Sequence, residues 1–175
     1  MADRDADQRS SDARAARDAL TRLADDGERR VVPTDRPIPP PPAPRGKVAL
    51  AFPVAEDRDS PVNERPGMAA PLQIHVASPA LTRDDAALIR RALRSFHPAF
   101  DLAARTVEDD ARPAPLGSPS HPNPGGFVIE LPSRPLAQPT TWIRRVIEDL
   151  LPLVHRLYPI RTVRYGRAST GVRTI

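Results

Sequence analysis

The stretch LQIHVASPALTRDDAALIRRALRSF, residues 72–96, decides how this chain is read. Leu72, Ile74 and Val76 alternate with Gln73, His75 and Ala77, the period of a strand with one buried face. Thr82 then stands as an N-cap, and Asp84 and Asp85 suit the positive end of a helix dipole. Asp85 occupies the third position of a capping box, which favours the longer Glu or Gln. Ile89, Ala92, Leu93 and Phe96 recur at helical spacing, while Arg83, Arg90, Arg91 and Arg94 fall off that stripe. His97-Pro98 stops the helix, because the residue before a proline is pushed out of the α region.

Toward the C-terminus, Phe100 to Val107 reads as a second strand, followed by an acidic turn at Glu108-Asp109-Asp110. Five prolines between residues 112 and 126, ending in Gly125-Gly126, predict a long irregular loop. Phe127 to Leu131 is a third strand, apolar enough to be central. From about Thr141, the spacing of Ile143, Val146, Ile147, Leu150, Val154 and Leu157 predicts a second helix. Pro152 lies within it and cannot donate to the carbonyl of Glu148, so a kink or two short helices is expected. Tyr158-Pro159 ends it, Ile160 to Tyr165 makes a fourth strand, and Gly166 to Gly171 reads as a turn before a short terminal strand. The order strand–helix–strand–strand–helix–strand, with right-handed crossovers, predicts an α+β ferredoxin-like sandwich. Its four-stranded antiparallel sheet would carry both helices on one face.

Toward the N-terminus the pattern changes. Residues 30–71 hold 11 of the 23 prolines, and dense proline excludes interior helix and central strand. The expected organisation is therefore a charged, proline-rich, disordered arm over residues 1–71 and a small domain over 72–175. Within the arm, residues 10–29 predict one short helix capped by Ser11, with ion pairs Arg14–Asp18 and Asp18–Arg22. Its apolar stripe of Leu20, Leu23 and Ala24 is too thin to hold a helix against a core, so the helix frays or orders on a partner. Ile38 to Arg45 predicts a stiff polyproline II spacer. Pro-x-x-Pro pairs stand at Pro39/Pro42 and Pro41/Pro44, but Ala43 interrupts the version flanked by Arg45. Val48, Leu50 and Phe52, in the arm's one apolar run, are candidates for docking to a protein partner or for an added edge strand.

Composition narrows the function classes. The chain has no cysteine, which excludes a disulfide framework, a thiolate metal site and a cysteine nucleophile. A charged N-terminus without an apolar core, and the lack of any run near 18 apolar residues, predict a cytoplasmic protein that does not enter a membrane. Lys47 is the sole lysine among 26 basic residues, and with abundant Ala, Pro, Asp and Val this matches the codon bias of a GC-rich bacterial genome. Residues 1–71 carry a net −1 and residues 72–175 a net +5. After Asp149 no acidic residue opposes Arg156, Arg161, Arg164, Arg167 and Arg173. Arg161, Arg164, Arg167 and Arg173, on the last strand and turn, are the candidate anion-binding set.

No catalytic, metal or cofactor signature emerges. His75, His97, His121 and His155 share no metal-ligand spacing, and no G-x-S-x-G occurs. Gly166 to Gly171 has the glycine spacing of a phosphate loop, but Val172-Arg173 replaces its Lys-Ser/Thr and no helix follows to supply the dipole. The carboxylate clusters Asp84/Asp85, Glu108/Asp109/Asp110 and Glu148/Asp149 sit at a helix start, a turn and a helix surface, where solvation explains them.

Ile74 to Asp85 resembles the passage from first strand to first helix of an RNA-recognition motif. Gly126-Phe127-Val128 is similar to the centre of that family's longer signature, so the resemblance covers roughly residues 73–131. It implies a ferredoxin-like fold that stacks bases on exposed sheet aromatics. This chain departs from the pattern where it matters for RNA: His75 stands at the first aromatic position and Glu130 at a later one. The expectation is therefore a non-catalytic bacterial interaction or adaptor protein. It would dock on a protein partner through its arm, its open sheet face or, in self-association, a sheet edge. The alternative is a nucleic-acid-binding module using the C-terminal arginines.

Overall fold

A computed structural model describes residues 2–29, 49–56, 71–104, 106–107, 126–131 and 139–167. Helix α1 spans Ala2–Arg29, strand β1 Val54–Glu56, β2 Leu72–Ala77, α2 Arg83–Phe96, β3 Asp101–Ala104, β4 Gly126–Leu131 and β5 Thr162–Arg167. Between β4 and β5 lies α3, in three consecutive stretches: α-helical Pro139–Arg145, π-helical Val146–Leu150 and α-helical Leu151–Leu157.

The fold is mixed α+β, with one five-stranded sheet in the order β1-β5-β2-β4-β3. Three neighbouring pairs are antiparallel, with Ile74 opposite Ile129 and Tyr165, and Leu102 opposite Ile129. The fourth, β1 on β5, is parallel, with Val54 opposite Val163. This corrects the expected four-stranded, wholly antiparallel sheet. The extra strand comes from the segment after Phe52, where Val54-Ala55-Glu56 pairs along an edge of β5 that would otherwise lie bare.

Alternation along the strands puts Ile74, Val76, Leu102, Phe127, Ile129, Leu131 and Val163 on one buried face. Against them pack Ile89 and Leu93 of α2 and Trp142, Val146, Leu150 and Val154 of α3, which form one core. Gly126 opens β4 at φ +150°, where a Cβ would run into the carbonyl oxygen of Val76. Only glycine lets β4 start that close to β2.

Four local expectations are sharpened or corrected. The second strand is shorter than Phe100 to Val107: Phe100 is buried before it, and Thr106 forms an isolated bridge with Leu81. Before Pro152 the helix widens into a π-helical turn that joins two short α-helical stretches, and in it the Leu151 N–H reaches back to the Val146 carbonyl. Pro152 then falls in the first turn of the following α-helical stretch, directly after the turn in which the hydrogen-bonding register shifts. Gly166 does not turn the chain; it continues β5 opposite Gln73.

The fourth is α1, which is longer than residues 10–29 and lies against α2 and the end of α3. Ala16, Leu20 and Ala24 are buried, with Leu23 packed beside them. The stripe is wider than the expected Leu20, Leu23 and Ala24, because Ala16 one turn earlier is buried as well. Arg14, Asp18 and Arg22 do not form the expected pairs; the ion pairs of α1 run between helices, Arg17 to Asp85 and Asp25 to Arg91. The polyproline stretch, the loop over 112–125 and the acidic turn at 108–110 lie outside the described residues.

Candidate interaction surfaces

Two places on the molecule bring polar side chains together. The first is the junction of α1, α2 and α3 around Asp85, whose side chain is only 6% exposed. The Asp85 N–H bonds the Thr82 hydroxyl at 3.2 Å, closing the cap that the sequence predicts. The reciprocal half of the capping box is missing. Asp85 is one methylene shorter than Glu, and the Thr82 N–H donates to the Tyr158 hydroxyl instead, at 3.1 Å. The freed carboxylate gathers donors from three elements. Arg17 reaches Oδ1 through Nε and Nη2 at 3.2 and 2.9 Å and Oδ2 through Nη2 at 3.0 Å. Thr82 Oγ1 and the Tyr158 hydroxyl donate to Oδ2 at 3.0 and 2.7 Å.

Burial alone would raise the Asp85 carboxyl, but hydrogen bonds from Tyr158, Thr82 and Arg17, with the Arg17 charge, hold it below its ordinary value. Burial and the bond to Asp85 push the Tyr158 hydroxyl up. A groove of about 400 Å³ opens beside this cluster, lined by Ser10, Arg14, Asp18, Asp85, Leu157 and Tyr158 among others. Both oxygens of Asp85 are thus engaged, and the Arg17 contacts join α1 to α2.

The second place is the sheet face opposite the helices. Across its middle run Ala55, Arg164, His75, Val128 and Ala103 on adjacent strands, in register. Beside them lie Gly166, Gln73, Glu130 and Asp101, where Gln73 Nε2 donates to Glu130 Oε1 at 3.3 Å. Arg164, His75, Glu130, Ala103 and Asp101 are exposed and Val128 half-buried. Among the described residues this face carries no aromatic side chain, so the base-stacking platform implied by the RNA-recognition resemblance is reduced to the His75 ring.

The sequence-predicted residues do not gather into one site. Phe52 is buried in the core with its ring 5.5 Å from that of His155, and Leu50 packs beside the core. What Phe52 docks on is its own chain, and Val48 lies outside the described residues. Of the anion-binding set, Arg161 immediately precedes β5, and alternation points Arg164 to the bare face and Arg161 and Arg167, on either side of it, to the other. Arg173 lies outside the described residues. A row of arginines on and just before one strand is thus split by the pleat.

His121 lies outside the described residues, and His75, His97 and His155 stay apart. His155 Nδ1 accepts from the Ile160 N–H at 2.9 Å, tying the end of α3 to the approach of β5. His97 is fully buried; its Nδ1 accepts from the Ala99 N–H at 3.1 Å, Nε2 has no partner, and burial lowers its pKa. Burial raises the carboxyl of Asp149, against the charge of Arg145 at 2.8 Å and with the help of Glu148. Among the described residues no three His, Asp or Glu side chains are grouped to hold a metal ion. No helix among them is long and apolar enough to cross a membrane.

Sequence reasoning missed the Asp85 junction. Its signal was the short acid at the capping-box position, which left a carboxylate free to recruit Arg17 and Tyr158. No family model, no curated protein sequence and no solved structure matches this chain.

Proposed function

We propose that this chain is a non-catalytic interaction protein. Its four antiparallel strands, in the order β5-β2-β4-β3, act as a ferredoxin-like unit that offers its bare sheet face to a protein partner. One observation carries the reading: among the described residues the helices pack on one side of the sheet, while on the other His75, Glu130 and Arg164 stand exposed and Val128 half-exposed. A face read by nucleic acid would concentrate arginines and aromatics. Among the described residues a single arginine, Arg164, shares the face with Glu130 and Asp101, which favours a protein surface of mixed charge.

The test is affinity capture from a native lysate with the full chain and with Val128→Arg, which leaves the core side of β4 untouched. A protein retained at moderate salt by the parent chain and lost by the variant supports the reading. Nucleic acid held at low salt, released at moderate salt and indifferent to the variant would overturn it, as would equal recovery of every protein by both chains.

A further inference from the structure

We infer that the bare sheet face pairs with the same face of a second copy of this chain; the inference rests on the reading of that face as a docking surface. The charges make the face complementary to itself. Arg164 stands on β5, to one side of β2, and Glu130 and Asp101 stand on β4 and β3, to the other. A two-fold axis lying between two such faces, near the line of β2, exchanges the sides. Each Arg164 then lies over Val128 of the other copy, with Glu130 two residues (about 7 Å) further along the same strand and within reach of the long arginine side chain, an isologous arrangement in which both pairs form at once.

Three details fit this occupant. Among the described residues Arg164 has no carboxylate partner in its own chain, whereas Glu130 is already oriented by Gln73. Asp101 is engaged by Arg90 at 3.4 Å, so Glu130 is the carboxylate left for a facing arginine. Around the charges the face is small-residued, with Ala55, Ala77, Ala103, Gly126 and Gly166. Such a face is flat enough for two sheets to stack at the usual spacing of about 10 Å. Val128, half-exposed in one copy, would be covered in the pair.

The five strands hold 25 residues in all, and at about 3.3 Å per residue and about 4.8 Å between strands they present about 400 Å² per copy. The total of about 800 Å² is below the standard size of a specific interface, so the dimer is weak, concentration-dependent and further weakened by salt.

Sedimentation equilibrium of the full chain at low salt, from micromolar to near-millimolar concentration, tests this. A monomer–dimer equilibrium is expected. Arg164→Glu and Glu130→Arg, each placing like charges opposite one another, should weaken it at least about tenfold with circular dichroism unchanged. An equimolar mixture of the two variants should associate again, because every facing pair is then of opposite sign. A monomer at all concentrations, an association that neither variant weakens, or a mixture that fails to recover would each overturn the inference. A monomeric chain that still captures a different protein, in a manner lost on Val128→Arg, would overturn the self-pairing alone and leave the docking face standing.

Discussion

On the helix-covered side of the sheet, Ile74, Val76, Phe127, Ile129 and Val163 are buried; the interleaved His75, Val128, Glu130 and Arg164 of the same strands stay wholly or partly in water. The backbone is shared, so the two faces differ only in what their side chains lose when the chain unfolds. One face supplies the hydrophobic stabilisation. The other is free to vary, and mixed charge on it is tolerated because water still solvates it. The molecule's stability and its proposed recognition surface are thus separated by the pleat, one residue apart along every strand.

The sharpest way to break this comparison is to cut adjacent residues of β4. Ile129→Ala should cost about 2–5 kcal/mol, as a large-to-small change in a packed core, whereas Val128→Ala should cost under about 1 kcal/mol. Urea unfolding of the two variants measures both; equal losses would mean that the bare face is covered.

The second largest effects belong to the Asp85 junction. Arg17→Ala and Asp85→Ala should each cost about 1–3 kcal/mol, the range for hydrogen bonds to charged groups. They should differ in kind. Arg17 is 58% exposed and returns to water when Asp85 is removed, whereas Asp85 stays buried when Arg17 is removed. Amide exchange over residues 8–26 should speed up in both variants, while β2 and β4 keep their protection. Uniform loss of protection would show that α1 is part of the central cooperative unit.

The pH profile sharpens the same contrast. Asp85 has a folded pKa below its ordinary 3.8, so its contribution is present above that value and lost as pH falls through the folded one. Tyr158, raised above 10.0, contributes fully below pH 10 and loses its contribution as pH rises beyond it. Buried His97, lowered from 6.5, acts on the core instead: its contribution is present above pH 6.5 and declines as pH falls toward the folded value. Thermal denaturation between pH 3 and 11 should show a shoulder below pH 6.5 that His97→Leu removes and Asp85→Asn leaves. The acid limb near pH 4 should be reduced by Asp85→Asn.

The smallest effect is expected at Asp25 and Arg91, 3.3 Å apart with both side chains about half exposed. Either residue changed to Ala should alter stability by less than about 0.5 kcal/mol, within the range of surface pairs. A larger loss would mean that α1 is held electrostatically along its whole length.

How much of this was legible beforehand differs by element. The strands over 72–77 and 127–131, the cap at Thr82 and the stripe of α2 stand in the sequence as local periods, and their residues behave accordingly. The shortening of the second strand, the π-helical turn before Pro152 and the continuation of β5 through Gly166 were not legible. Each depends on what lies opposite the backbone rather than on its own residues. The candidate arginines show why a charge run is not yet a site: Arg161, Arg164 and Arg167 are close in sequence, and the pleat sends Arg164 to the face opposite the other two.

The division has a physical cause. Alternation and helical spacing act over a few residues, so the chain alone determined the character of the core elements and which face of each is apolar. Only the tertiary structure decided that α1 packs on α2, that Val54–Glu56 extends the sheet, and that Asp85 ties three helices together. Those contacts join residues 68 and 73 positions apart, from Arg17 and from Tyr158 to Asp85. A distance of that kind is set by how the layers stack and leaves no period in the sequence.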